Sequence, residues 1–500
     1  MIRNSGIRVL LPLLLVGMIL PNTLPAAEVL RVVPVVASVV DETVVAGIKS
    51  GNEGEIRNVN PLPKDLSGYL PMPIPFPTKQ PATAQGIDSN LLKQIVSYNP
   101  KTGKETVLNP ATVSGPVGSL MQTIASSGRN GVGSLGIDAE SRLQNSLETF
   151  TDITAVGNTE EYPWRVLTKV FMTFPNGNYV CSGTLIQPSY AITAGHCVNN
   201  GSGGAWASQI VVTPGYRDNW APYGSAASGT FLSFAGWTTY GDFNYDIGVV
   251  ALDRPIGSAT GWHAFGYTTD HNFYLATLFN NGGYPAQSEY GFNGNTLFYR
   301  YGYNDGYYSD LPKQVYFLKP SWGGQSGSSE YVYYTDTGVR VVYAILSISD
   351  RQTITGLATM DEAQFNAIRN WTGASAPASV DLTPLYVSAK AIGASDSRQM
   401  EMTYLAHNTS SAAWNGTVNA NVYISDNENI SPSDTLIQRH TFDASFVPWS
   451  SVEVTVPLVS IPESVAPGTY YLGVILDFDD ANRVNNDSDG QDAGKIVIEN

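Results

Sequence analysis

Residue types that together could hydrolyse an amide bond lie far apart along this chain, each in a short motif. Ser326 lies between closely spaced glycines in SWGGQSGSS, residues 321–329, and His196 lies near the end of CSGTLIQPSYAITAGHC, residues 181–197. A serine becomes a nucleophile only when a base takes its proton and an acid orients that base. These two residues are therefore candidates that need a third partner.

An acid suited to the third role lies in GDFNYDIGVVALDRPIG. Asp246 directly precedes the apolar run IGVVAL, so its side chain can be buried at the start of a strand. A buried carboxylate that accepts a hydrogen bond from an imidazole fixes the tautomer and stabilises the imidazolium. Asp242 and Asp253 lie in more polar flanks and are predicted to be solvated turn residues.

The motifs resemble those of the trypsin-like, chymotrypsin-fold serine endopeptidases. TAGHC, DIGVV and GGQSGS match the three motif regions of that family, and GIDAESRL, NTEEYPWRV and NYDIGVVALDRPIG extend the similarity to the bacterial glutamyl-endopeptidase branch, over about residues 133–373. The resemblance implies amide hydrolysis through an acyl-enzyme, with Ser326 as nucleophile, His196 as base and Asp246 as its orienting acid. It also implies an oxyanion site made by the backbone N–H groups of Gly324 and Ser326, without a metal or organic cofactor.

The side-chain preference should depend on the residues beside the nucleophile. The resemblance places Pro320 where trypsin itself has the acid that receives Lys or Arg, so a basic preference is not expected. It places Leu346 where the glutamyl branch has a histidine. Ser321 and Ser347 could donate hydrogen bonds, but the sequence indicates no cation beside them. We therefore expect an apolar or relaxed preference.

The chain has two cysteines, Cys181 and Cys197, and the second directly follows His196. In an exported protein such a pair is a disulfide candidate. The bond would hold the loop of the histidine against the preceding strand, as a base in a fixed position requires. The alternative is two unrelated buried thiols.

The N-terminus predicts a secretory signal over residues 1–27. Arg3 and Arg8 make its start positive, and the apolar stretch over residues 9–20 is too short to span a bilayer as a helix. The formal net charge of −16 argues against a nucleic-acid partner, since nucleic-acid binding depends on clustered Lys and Arg. We expect a protein exported from a bacterium, without membrane insertion, that acts on proteins or peptides.

The pattern beyond residue 151 predicts an all-β fold. Short β-rich runs such as YVCSGTLIQP, QVYFLKP and VRVVYAILSI are separated by turn sequences such as PNGN and DTG. Helical periodicity occurs mainly in MDEAQFNAIRNW. We expect a two-barrel trypsin-like domain that ends in a C-terminal helix and is followed by a β-sandwich.

The domain boundaries follow from changes in composition. Residues 28–132, rich in proline around NPLPKDLSGYLPMPIPFPTKQP, are predicted to be a pro-segment, the alternative being a linker that stays attached. The peptidase domain is expected over 133–375, and maturation near 131–134 should release an active form. Residues 376–500 resemble bacterial adhesion-related, immunoglobulin-like modules through GTYYLGVILDFDDANRVNNDSDG.

The C-terminal module is expected to bind a surface, a polysaccharide or substrate, or to aid secretion. His407 and His440 are interpreted as ordinary surface or packing residues. Its loop NNDSDG partly matches a calcium loop through Asn485, Asp487, Asp489 and Gly490, but the twelfth place holds Ile496 instead of the bidentate Glu. A solvated acidic turn is the favoured interpretation. The competing hypothesis for the whole chain is a non-enzymatic surface-binding or adhesive protein that retains a peptidase-like barrel.

Overall fold

The protein is represented by a computed structural model, and its structure is described over most of the chain from residue 149 onward and over parts of the preceding region. The described residues are 32–36, 38–39, 68–76, 84–108, 149–268, 270–334, 340–374, 379–392, 398–410, 412–446, 451–481, 483–488 and 492–498. The predicted signal sequence and the predicted maturation site lie outside these residues.

The first sheet closes into a six-stranded barrel. The six strands of the barrel are β7 Leu167–Phe174, β8 Gly177–Gln187, β9 Tyr190–Thr193, β10 Gln209–Pro214, β11 Ala226–Phe234 and β12 Gly248–Leu252. Three more strands of the same sheet come from the predicted pro-segment: β3 Tyr69–Pro71, β4 Ile95–Asn99 and β5 Lys104–Leu108. The order around the barrel is β10-β7-β8-β9-β12-β11, and β10 pairs with β11 to close it. β4 adds to β11, β5 adds to β4, and β3 runs parallel to β8.

The second sheet carries the glycine–serine motif between two of its strands. Its strands are β6 Thr154–Ala155, β13 Ala264–Phe265, β14 Phe279–Gly283, β15 Phe298–Gly302, β16 Gly306–Tyr308, β17 Leu311–Phe317, β18 Ser329–Tyr333, β19 Arg340–Ser349 and β20 Thr355–Thr359. The order is β16-β17-β20-β19-β18-β14-β15-β6, with β13 beside β19, and no pairing among the described residues closes this sheet. It is called the second barrel below, after the two-barrel domain that the sequence predicts. Nearly every residue of β18, β19 and β20 is buried, and burial on both faces explains why β19, RVVYAILSIS, contains a continuous apolar run instead of an alternating pattern.

Two further sheets pack as a sandwich in the C-terminal region. They contain β1 Val32–Val36, β2 Ser38–Val39, β21 Leu382–Ala391, β22 Gln399–Asn408, β23 Trp414–Ser425, β24 Thr435–Phe446, β25 Ser451–Ser460, β26 Gly468–Asp477 and β27 Gly494–Ile498. The orders are β1-β25-β22-β21 and β2-β24-β23-β26-β27. Buried and exposed positions alternate along β22 and β24, as expected of strands that face a core on one side. The all-β fold class is thus confirmed.

Helices among the described residues are few and mostly short. They are α1 Ser89–Leu92, α2 Ala235–Thr238, α3 Gly257–Thr260, α4 His271–Ala276 and α5 Glu362–Ala374. α5 is the predicted C-terminal helix, and Phe365, Ala367 and Ile368 are fully buried on it, whereas Met360 precedes its first turn. No helix among the described residues is both long enough and apolar enough to cross a membrane.

A buried ion pair joins the first barrel to the sandwich. Arg254, which follows β12, donates from Nε to Asp492 Oδ2 over 3.0 Å, and its Nη2 donates to the other carboxylate oxygen. The guanidinium also lies 4.8 Å from the ring centre of Tyr386, whose hydroxyl donates to the carbonyl of Tyr223 in the first barrel. The bidentate geometry fixes the orientation of the sandwich on the barrel.

Candidate active site

His196 is held in place by the strands on either side of its motif. β9 ends at Thr193, and the next residues form a 3-10 turn over Gly195–Cys197. Cys197 is disulfide-bonded to Cys181 of β8, as predicted, so the turn is tied to the neighbouring strand. A Cβ on Gly195 would lie 2.9 Å from Asp246 Oδ1, and a glycine at this position therefore lets the carboxylate approach the turn.

Asp246 accepts three hydrogen bonds in a fully buried position. Its Oδ1 accepts the backbone N–H of His196 over 2.7 Å, and its Oδ2 lies 2.8 Å from His196 Nδ1. The hydroxyl of Ser347 donates to the same Oδ2 over 2.6 Å. An ionised carboxylate only accepts hydrogen bonds, so we assign the imidazole proton to Nδ1, which leaves Nε2 as a proton acceptor.

Ser326 lies in a tight loop that needs glycines on both sides. Gly324 has a φ of +95° and Gly327 a φ of +84°. A Cβ at 324 would lie 2.5 Å from the carbonyl oxygen of Tyr284, and one at 327 would lie 2.1 Å from Thr193 Oγ1. Both the backbone angles and the space therefore require glycine. The motif GGQSGS is thus not a flexible linker but a close-packed turn.

β8 carries both the disulfide and the anchor of the serine loop. Ser182, next to Cys181, donates its N–H to the carbonyl of Ser326 and its hydroxyl to the carbonyl of Gly324, each over 2.8 Å. Gly327 packs against Thr193 and Ala194, close to the turn of His196. The loops of the three predicted residues therefore adjoin one another, although Ser326 Oγ and His196 Nε2 are not hydrogen-bonded to each other.

Polar atoms in this region are left without partners. His196 Nε2 and Ser326 Oγ are both buried, and neither has a hydrogen-bond partner among the described residues. The same holds for the backbone N–H groups of Gly324 and Ser326 in the described part of the chain. Unpaired buried polar atoms cost free energy, so a cluster of a base, a hydroxyl and two amides points to a functional site.

The predicted pocket residues take different positions around this loop. Leu346 is buried in the core of the second barrel, and its carbonyl accepts the N–H of Gly327. The Ser321 hydroxyl lies 2.8 Å from Thr355 Oγ1, on the side of Pro320. Ser347 was expected to serve a bound side chain, but its hydroxyl proton is directed to Asp246 instead.

Sequence reasoning missed a cation at the predicted pocket. Arg300 of β15 is only 2% exposed, and it donates from Nη1 to the carbonyl of Pro320 over 2.7 Å and from Nη2 to Ser321 Oγ. Its remaining acceptor is the amide oxygen of Asn281, so all three acceptors are uncharged. Burial lowers the pKa of Arg300 to about 9, which leaves the guanidinium charged at neutral pH. An arginine between tyrosines, in FYRYG, was the available sequence signal.

One of two other acids differs from the sequence expectation. Asp242 is buried, and its carboxylate accepts the N–H and the side-chain amide of Asn244, which caps the 3-10 turn before Asp246. Asp253 is exposed, as predicted; it accepts the N–H of Ala227, and desolvation raises its pKa. The prediction of solvated turns was wrong for Asp242, because its carboxylate supports the loop that presents Asp246.

A group of possible metal ligands also lies here, formed by Cys181, His196 and Cys197. The two sulfur atoms are bonded to each other, so neither is available as a thiolate ligand. The group therefore offers one histidine nitrogen, which is too few for a protein metal site.

Comparison with known proteins agrees with this arrangement. Residues 155–284 match the family model described as Trypsin, about a quarter of the chain. A protein named glutamyl endopeptidase from Bacillus licheniformis is 34% identical over 28% of this chain and 42% of its own length. A protein named extracellular metalloprotease from Bacillus subtilis is 29% identical over 44% of this chain and 67% of its own length. The matches thus span about two fifths and two thirds of these relatives.

Solved structures also match part of the chain. The thermostable serine protease AL20 gives a TM-score of 0.38 at 22% identity, covering 42% of this chain and 98% of that one. A Glu endopeptidase in complex with MPD gives 0.38 at 25% identity, covering 45% and 97%. Given the family match and the closed barrel, the chain contains a trypsin-like serine protease domain.

Proposed function

We propose that the protein is a secreted serine endopeptidase, made as a zymogen, that cleaves peptide bonds with Ser326, His196 and Asp246. One observation carries the proposal: Asp246 fixes Nδ1 of the histidine while Nε2 and the serine hydroxyl remain buried and unpaired. An oriented base and an unpaired hydroxyl in one region are the combination that nucleophilic catalysis requires.

The proposed reaction follows from the directions of these groups. Ser326 Oγ attacks the scissile carbonyl carbon while His196 Nε2 takes the hydroxyl proton. The carbonyl oxygen becomes negative and is stabilised by the N–H groups of Gly324 and Ser326. His196 then gives its proton to the leaving amine, and a water molecule hydrolyses the resulting ester by the same steps in reverse. Asp246 stabilises the imidazolium throughout.

We further propose that the enzyme prefers an acidic side chain beside the scissile bond. Arg300 has five N–H donors, of which three are used by Asn281, Pro320 and Ser321. Two donors of a buried, charged guanidinium therefore remain next to the predicted pocket. A carboxylate is the group that a guanidinium pairs with best, and the name of one relative specifies glutamyl bonds. This replaces the apolar or relaxed preference expected from Leu346.

The domain plan is part of the same proposal. It comprises a signal peptide over 1–27, a pro-segment over 28–132, the peptidase over 133–375 and an immunoglobulin-like, adhesion-related module over 376–500. The separate core of the C-terminal sheets supports an independent module, whose ligand class we propose to be a cell surface or a polysaccharide. The three strands that the predicted pro-segment adds to the first sheet support a role in the precursor.

A fluorophosphonate probe tests the proposed nucleophile. We expect labelling of processed wild-type protein and none of Ser326→Ala, together with cleavage of a peptide library by the wild type alone. If processed wild type is not labelled and no peptide is cut, the binding or adhesive function becomes the better assignment. Asp246→Asn serves as a second variant, because it should keep the fold and still lower turnover by about 10⁴-fold.

A further inference from the structure

We propose that the cleft beside Ser326 binds an extended peptide in which every second residue is proline, and that the precursor fills it with its own residues 69–76, YLPMPIPF. This inference rests on the proposed peptidase function, which it extends to the regulation of the same site. It differs from activation by a new N-terminus, because the blocking element is a segment that already lies in the cleft.

Two side chains of the segment are anchored in separate hydrophobic clusters. Met72 is 7% exposed and belongs to a cluster that contains the core of the first barrel together with residues of the second sheet such as Tyr331 and Ile345. Ile74 is 2% exposed and belongs to a cluster made mainly of residues of the second sheet. Leu70, in the same segment, is 60% exposed, so the buried anchors are Met72 and Ile74.

The backbone of the segment binds both walls of the groove. Met72 donates its N–H to the carbonyl of Val180 over 3.0 Å, and Val180 precedes the disulfide that fixes His196. The carbonyl of Pro75 accepts the N–H of Ser349 over 3.1 Å, and Ser349 lies two residues after the serine that contacts Asp246. Main-chain bonds of this kind are how an added strand gains affinity without regard to its side chains.

Between these two bonds the segment passes over the loop of the nucleophile. A Cβ placed on Gly323 would lie 2.9 Å from Pro71 Cβ and 3.0 Å from the carbonyl oxygen of Met72. Gly323 is the neighbour of Gly324, whose amide is assigned to the oxyanion. Ser326 itself is fully buried, as expected if the segment beside Gly323 helps to keep substrate from its hydroxyl.

The alternating prolines suit this role. Proline fixes φ near −65°, so the segment is already extended and loses little conformational entropy when it binds. The ring also replaces the N–H of every second residue, and the remaining N–H of Met72 is the one that bonds to Val180. In the peptide bonds Met72–Pro73 and Ile74–Pro75, the amide nitrogen carries a ring carbon instead of a hydrogen atom. This substitution hinders cleavage of the two bonds.

The rate of fluorophosphonate labelling in the full-length chain tests the inference. We expect slow labelling of wild type and at least about 30-fold faster labelling of Ile74→Asp, because a carboxylate cannot replace a buried aliphatic anchor. Leu70→Asp is the matched control in the same segment, and it should label like wild type. Added peptide YLPMPIPF should slow the labelling of Ile74→Asp again, which a misfolded variant would not show, whereas a scrambled peptide should not.

The outcomes separate this inference from the proposed function. Wild-type precursor that labels as fast as Ile74→Asp, while processed protein is labelled in a Ser326-dependent way, overturns the occlusion and leaves the peptidase intact. If the added peptide does not slow the labelling of Ile74→Asp, the occlusion is also overturned. Absence of labelling in every form, processed protein included, removes the peptidase assignment and the occlusion with it.

Discussion

Ser347 donates its hydroxyl proton to Asp246 Oδ2 over 2.6 Å, on the same oxygen that lies 2.8 Å from His196 Nδ1. Asp246 is fully buried, so its hydrogen bonds must compensate for the hydration that it loses. Ser347 therefore influences His196 only through the carboxylate, and its proposed role is that of a positioning residue.

Replacing Ser347 by alanine tests this role. We expect kcat on a peptide substrate to fall about 10-fold, corresponding to one lost hydrogen bond to a charged group, with little change in KM. Ser347→Thr keeps the hydroxyl and should restore most of the loss. A change in KM with unchanged kcat would instead return Ser347 to the substrate pocket.

Arg300 should decide the choice between acidic and apolar substrates. Arg300→Gln removes the charge next to Ser321 and Pro320, and we expect kcat/KM for a substrate with glutamate beside the scissile bond to fall about 10- to 100-fold. A leucine substrate should lose far less. Arg300→Lys keeps the positive charge but lacks the planar guanidinium with its paired donors. Its ratio of kcat/KM for the glutamate substrate to that for the leucine substrate should lie between the ratios of wild type and Arg300→Gln. Equal losses on both substrates would mean that Arg300 only supports the fold.

The ion pair between Arg254 and Asp492 should stabilise the docking of the sandwich. Asp492→Ala leaves a buried guanidinium without its carboxylate, and we expect the free energy of unfolding to fall by about 3–5 kcal/mol. Asp479→Ala is the matched control in the same module, since it breaks an exposed pair with Arg483 that solvent screens, and it should change stability little. Denaturant unfolding measures both. Equal effects of the two substitutions would contradict the role of the buried pair.

Two histidines should make the sandwich sensitive to acid. Burial lowers the pKa of His407 to about 3 and that of His440 to about 4. Below pH 6.5 the unfolded chain binds protons that the folded sandwich does not, so stability falls with pH until the folded pKa values are reached. From pH 7 to pH 5 each histidine should cost about 2 kcal/mol in the free energy of unfolding.

Denaturant unfolding at pH 7 and pH 5 checks this dependence. Replacing either histidine by glutamine should remove about half of it, and the double variant should remove most. His407 is hydrogen-bonded to Ser451, and His440 is hydrogen-bonded to Tyr404. A glutamine in place of either histidine can form a hydrogen bond to the same partner. An unchanged dependence in the double variant would assign the acid sensitivity to other groups.

Local sequence was sufficient for the features that depend on residue type and short-range spacing. The turns around Gly324 and Gly327, the pairing of the two cysteines, the strand-rich pattern and the helix over Glu362–Ala374 could all be predicted, because each depends on backbone freedom, redox setting or side-chain periodicity. The types of the three proposed catalytic residues could be read in the same way.

Only the tertiary structure decided which distant groups meet. Ser347 looked like a pocket residue, yet a bond across 101 positions gives its proton to Asp246. Arg300 gave little signal in its own strand, and the segment 69–76 was predicted only as part of a proline-rich pro-segment, yet both lie against the loop of Ser326. These relationships depend on how the two barrels pack, and packing joins residues whose separation along the chain carries no information about their distance in space.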